Sequence, residues 1–210
     1  MIKNNAWDAT APAGEGTAEC RPDGRDTVLT TLRFVGKMLP GALAAAAVYG
    51  AALPVRRRRL ARLGLSAPKG REGAMLLFAL FVGGMAAITL TPRSLCWGAL
   101  LCGAWEGPFF ARGTVNLRPF ATFGDLYILL GNIVMFLPFG FFPALLFRGF
   151  DRRRALLTGL CITGFIEVTQ LFVGRTFDID DLMLNTLGVL LGFCLQRALG
   201  CTLHCRAAGK

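Results

Sequence analysis

Between Gly159 and Gly192 two apolar segments are joined by a short acidic turn, and polar residues interrupt them at helical intervals. Gly159, Thr163, Glu167, Gln170 and Gly174 follow at steps of four, four, three and four, which puts them on one helix face. Beyond the turn Asp181, Asn185, Gly188 and Gly192 form a second such stripe. A carboxylate or an amide is expensive to place against hydrocarbon. The two stripes must therefore face each other or a third helix, and any function is sought first in the interior they share.

The rest of the chain sets the same constraint. Hydrophobic types make up 54% of the 210 residues, charged types 17%, and the mean hydropathy is +0.52. Charges stand between long apolar blocks, not along them, as in multi-pass membrane proteins. Apolar runs at 34–55, 73–90, 126–147, 155–173 and 182–199 predict an all-α, polytopic bundle of about five transmembrane helices. The expected organisation is a polar N-terminal tail (1–27), an extra helix with a basic loop (28–72), a four-helix membrane domain (73–199) and a short tail (200–210). Gly83, Gly84, Ala86 and Ala87 suit close helix contact. Pro138 cannot donate to the Val134 carbonyl, which predicts a kink or local unwinding there. Trp97, Trp105, Phe109 and Phe110 are expected as interfacial anchors, and 95–105 is too short to cross about 30 Å of hydrocarbon.

The net charge of +10 comes mainly from Arg56–Arg59, Arg62, Lys69 and Arg71, and from Arg148 and Arg152–Arg154. Lying between spans, these runs read as cytoplasmic stop signals and not as a nucleic-acid patch. The expected topology has the N-terminus outside and the C-terminus inside a bacterial plasma membrane, with the bilayer as the main partner and no nucleic acid.

Seven cysteines show no zinc-ribbon spacing. Cys161 and Cys194 are expected as small packing residues, and Cys96 with Cys102 as a disulfide pair if their loop is oxidised. Cys201, His204 and Cys205 are too few for structural zinc, which takes about four ligands. No metal or cofactor is expected. His204, the only histidine, lies in the tail, so no Ser-His-Asp set is available and carboxylates would carry any catalysis.

With that topology, a rise of 1.5 Å per residue sets Asn132, Glu167, Gln170 and Asn185 in one layer of the outer third of the bilayer. The three amides have donors enough to satisfy the carboxylate. Arg118 and Arg175 stand at the mouth, within reach of Asp178, Asp180 or Asp181. The plainer alternative is a polar clamp that glues helices and does no chemistry. Gly188-xxx-Gly192 and the run 136–142 read as packing.

Asn116-Leu117-Arg118-Pro119-Phe120, then Asn132, Phe136, Pro138 and Gly140, then Ile166-Glu167 with Gln170, and finally Arg175, Asp178, Asp181, Asn185, Gly188 and Gly192 together resemble the VanZ-like family. The resemblance runs from about Gly73 to Gly192, with Thr163 where the family often has Ser. It implies a multi-pass bacterial membrane protein, associated in some members with low-level teicoplanin resistance. On the first reading the chain is a non-enzymatic envelope protein binding a lipid-linked wall precursor or a lipoglycopeptide. Asn116, Arg118 and Arg175 hold an anionic head group at a mouth that Asp178 and Asp181 border, and Asn132, Glu167, Gln170 and Asn185 orient it below. The alternative is an intramembrane enzyme using Glu167 and Asp181 as an acid/base pair. Proton-coupled transport ranks third, with one deep carboxylate to serve it.

Overall fold

The computed structural model describes residues 24–90, 112–120, 126–204, 206 and 207. The segment 95–105, expected at the membrane interface, the expected anchors Trp97, Trp105, Phe109 and Phe110, the expected pairing of Cys96 with Cys102, and most of the N-terminal tail lie outside the described residues. Among the described residues five helices carry the fold: α1 (Gly24–Arg62), α2 (Arg71–Thr89), α3 (Leu126–Leu146), α4 (Arg152–Phe172) and α5 (Ile179–Leu199). Each contains a stretch long and apolar enough to cross a membrane, so the expected all-α polytopic class is the observed one.

α1 is longer than its apolar run. It continues through Pro40 and Pro54 and takes in Arg56–Arg59 and Arg62, which the sequence reading assigned to a loop. Arginine is a good helix former, its aliphatic stem lies along apolar surface, and its charge suits a helix C-terminus. α3 likewise runs unbroken through Pro138 and Pro143, so the expected local unwinding is absent from this helix.

α5 is the central element, packed between α3 and α4; α2 leans on α3, and α1 packs along α2. Glycines set the closest approaches. A methyl on Gly140 of α3 would stand 2.8 Å from the Phe193 nitrogen of α5, and one on Gly192 of α5 would stand 2.8 Å from the Leu137 carbonyl carbon of α3. Gly188 is likewise seated on Ile133, which bears out the packing role of the Gly188–Gly192 pair. Gly41 and Gly83 make the same kind of contact between α1 and α2. Around these seams Met85, Phe136, Phe139, Ile166 and Val189 form the buried core, with Phe78 and Phe81 of α2 set edge-on to Phe139. The outward faces carry Leu126, Val134, Phe165, Val168 and Phe172, all exposed as lipid-facing residues are. Cys161 and Cys194 belong to that outward surface, not to the packed interior expected for them.

Two small sheets close the ends. At the arginine-rich end β1 (Leu65–Ser66) pairs antiparallel with β4 (Arg206–Ala207). Arg71, expected in an exposed basic loop, is buried there. Its guanidinium donates at 2.5 Å to the carbonyls of Leu146 and Leu203 and lies over the Phe147 ring. Those carbonyls have no helical partner, which is why a cation is drawn in. Gln196 donates to the Cys201 carbonyl, and the Leu203 amide to that of Leu145, so residues 200–204 fold back under the bundle. Cys201 is a free thiol, His204 sits 3.3 Å from the Ala144 carbonyl, and Cys205 lies outside the described residues. At the opposite, acidic end β2 (Val115–Asn116) runs parallel to β3 (Phe177–Asp178).

Candidate functional site

The acidic end is built outward from α4. Gly159, Thr163, Glu167 and Gln170 are buried on one face, with Thr163 and Glu167 at 0% and 1% exposure, as their spacing required. The helix stops at Phe172, and Gly174 takes the left-handed conformation (φ 73°) that lets the chain reverse. The Arg175 amide then donates back to the Gln170 carbonyl at 2.9 Å. After β3 the chain enters α5 with Asp178 as N-cap, its Oδ1 accepting from the Asp180 amide at 3.0 Å.

That tight reversal carries the Asp178 amide to Glu167, whose Oε2 accepts from it at 2.9 Å. The expected partners of Glu167 were the three side-chain amides, and the structure pairs two of those elsewhere. Asn132 donates to Asp181 Oδ1 at 2.6 Å, which ties α3 to the first turn of α5. Gln170 Nε2 lies 3.4 Å from the Thr89 carbonyl. Asn185 is buried, and its Oδ1 has no hydrogen-bond partner among the described residues. The hydrogen bonds of Asn132, Glu167 and Gln170 thus run to different partners, and no single shared network forms around Glu167 among the described residues.

The Arg175 guanidinium, placed by the sequence within reach of the aspartates, caps α2, donating to the Ile88 carbonyl at 2.9 Å and lying 3.4 Å from that of Thr89. A cation at a helix C-terminus satisfies orphan carbonyls and complements the helix dipole.

The segment 112–120 is laid across this end as a strap. The Gly113 amide donates to the Leu171 carbonyl and the Phe177 amide to that of Thr114, both at 2.8 Å, while the Thr114 and Thr176 hydroxyls meet at 2.9 Å. Gly113 is required, because a methyl there would stand 2.9 Å from Leu171 Cα. Asn116 donates to Asp178 Oδ2 at 3.0 Å and receives the Arg118 amide on its own oxygen at 3.2 Å. Farther along, the Phe120 amide donates to Asp180 Oδ1 at 2.7 Å, with Phe120 held at φ 67°. A non-glycine residue there is strained by about 1–2 kcal/mol, which the bond to a buried carboxylate offsets. Arg118 keeps an exposed side chain on this strap, as does Arg112 at its start.

Asp180 and Thr89 belong to the site and were not singled out as binding residues. Asp180 is fully buried and anchors the strap; Thr89 lends a backbone carbonyl that no side-chain motif marks. The run Asp178-Ile179-Asp180-Asp181 held the usable signal, since aspartates at a helix start serve as caps before they serve as ligands.

The class these features define is a helical, multi-pass membrane protein whose acidic end is locked by hydrogen bonds between buried carboxylates and backbone amides. The sequence model of the VanZ/LLP1 family matches residues 78–200, more than half of the chain, and the protein belongs to that family. Among characterised relatives, Protein VanZ of Enterococcus faecium is 34% identical over 90 residues, which is 41% of this chain. The matched region spans 54% of that relative's length. No solved structure matches the chain.

Proposed function

We propose that the acidic end is the outer face of the protein and binds the head group of an amphiphilic, lipid-linked ligand without catalysing its turnover. The N-terminus is then outside and the C-terminus inside, as the gathering of arginines at the other end favours. The observation that carries the reading is the strap. Arg118 is exposed, yet the backbone around it is fixed by Asn116 and, through Phe120, by the buried Asp180. A cation presented on a rigid support loses little entropy when it takes an anionic head group. Arg112 is exposed on the same strap. Asn132, Glu167, Gln170, Arg175, Asp178 and Asp181 hold the strap and four helix ends in register, and Asn185 lies buried below them.

The ligand class that the family resemblance suggests is a lipid-linked wall precursor or a lipoglycopeptide such as teicoplanin, whose placement at the membrane surface the protein would alter. Mass spectrometry of lipids retained by the purified protein, with and without Glu167→Gln, tests this. Retention of a wall-precursor lipid by wild type and its loss in the variant is the expected result. A precursor retained equally by both refutes the part given to Glu167.

The enzymatic reading, with Glu167 and Asp181 as an acid/base pair, is favoured by one fact: the residues bracket a single tight reversal, each on a hydrogen-bond donor. Turnover of the retained lipid by wild type, absent in Asp181→Asn, would select it over binding alone.

A further inference from the structure

At the arginine-rich end an open cleft of about 250 Å³ lies between the last turns of α1, the β1 connection and the first turn of α2. Arg57, Leu60 and Ala61 line it from α1, Leu65 and Ala67 from the connection, and Glu72 from α2. The α1 residues stand at i, i+3 and i+4, so one helix face supplies a cation above an apolar wall. Glu72 is the one acid in the lining, and its charge is already engaged. Its carboxylate is paired with the Arg56 guanidinium and accepts from the Tyr49 hydroxyl at 2.7 Å. Arg56 also lies 5.3 Å from the Tyr49 ring centre, which fixes it in that role. Arg57 is exposed and has no ion-pair partner among the described residues. Arg58, Arg59, Arg62 and Lys69 surround it in sequence, with no acid between Arg56 and Arg71.

We propose that this cleft is a head-group site for an anionic phospholipid. The phosphodiester sits on Arg57, the neighbouring cations raise the positive potential around it, and the glycerol and first acyl carbons lie on Leu60, Ala61, Leu65 and Ala67. The lining selects a lipid over a soluble anion, because an inorganic phosphate gains nothing from four apolar walls. Clusters of arginine next to a membrane span favour anionic lipid, each cation near the surface contributing about 1 kcal/mol. The site lies at the far end from the acidic cluster and stands independently of the function proposed there.

The test is native mass spectrometry of the full-length protein released from nanodiscs of phosphatidylcholine containing a minor fraction of phosphatidylglycerol. Wild type retains phosphatidylglycerol in excess of its share of the bilayer. Arg57→Gln lowers that excess about fivefold, the effect of one surface cation, and Arg57→Lys restores most of it. Ala61→Glu, which puts a charge on the apolar wall at an exposed helix position, abolishes it. Arg153→Gln removes the same unit of charge from the other basic segment and leaves retention unchanged. Equal losses in Arg57→Gln and Arg153→Gln would mean diffuse attraction and overturn the site. Displacement of the lipid by inorganic phosphate would make it a soluble-anion site and overturn the lipid.

Discussion

Two alanines on one helix separate the backbone contact between α3 and α5 from ordinary helix propensity. At Gly140 a methyl would stand 2.8 Å from both the Phe193 nitrogen and the Val189 carbonyl carbon, and nearer still to that carbonyl's oxygen. At Gly131, about two and a half turns earlier on α3, nothing lies within 4 Å. Either alanine gains about 0.5–1 kcal/mol because glycine weakens a helix interior. At Gly140 the obstructing atoms are backbone and cannot swing aside, so α5 has to move away, which costs about 1–3 kcal/mol as overpacking does elsewhere. Gly131→Ala is therefore stabilised by about 0.5–1 kcal/mol, and Gly140→Ala comes out about 1–3 kcal/mol less stable than it. Thermal unfolding of both variants in one detergent, followed by circular dichroism, reads the difference. Equal stability of the two variants would refute the backbone contact, and with it the placement of α5 between α3 and α4.

Glu167→Gln keeps an acceptor for the Asp178 amide and should fold at wild-type abundance while losing ligand retention; Glu167→Leu strands that buried donor and should cost about 1–3 kcal/mol in thermal unfolding. Full activity of Glu167→Gln in the membrane would leave the acidic end as helix glue. Cysteine introduced at Thr176 in a cysteine-free background should react with an impermeant reagent in intact cells, and cysteine at Ser66 should not; the opposite pattern reverses the orientation. Arg71→Leu leaves the carbonyls of Leu146 and Leu203 without their charged donor and should cost about 1.5–3 kcal/mol, with Arg71→Lys intermediate. Unchanged unfolding of Arg71→Leu would remove the buried guanidinium from the account of that end.

The helices were legible because hydrocarbon demands a run of apolar residues of fixed length, and that demand is written locally. The buried stripe of α4 was legible for the same reason, since Thr163, Glu167 and Gln170 cannot face lipid. Partner choice was not. Spacing gives a residue's face and depth but not which neighbour it meets, so Asn132 was assigned to Glu167 when it donates to Asp181. Two-residue strands have no periodicity to detect, which hid the strap and the pairing of β1 with β4. The cysteines misled for another reason. In a soluble protein an apolar context implies burial, whereas in a bilayer the outside is apolar too, and Cys161 and Cys194 face it.

The pairing of β1 with β4 also sets an order on biogenesis. Residues 65–66 are translated just after the first helix, whereas 206–207 emerge only after all five helices have been made. At about 5–20 residues per second, the early strand waits about 7–28 seconds for its partner. The α1–α2 hairpin, seated through Gly41 and Gly83, can enter the bilayer on its own during that interval. The carbonyl of Leu203 that receives Arg71 arrives in the same late stretch. The arginine-rich end therefore acquires its shape only once residues 203–207 have been made, well after the α1–α2 hairpin is available for insertion.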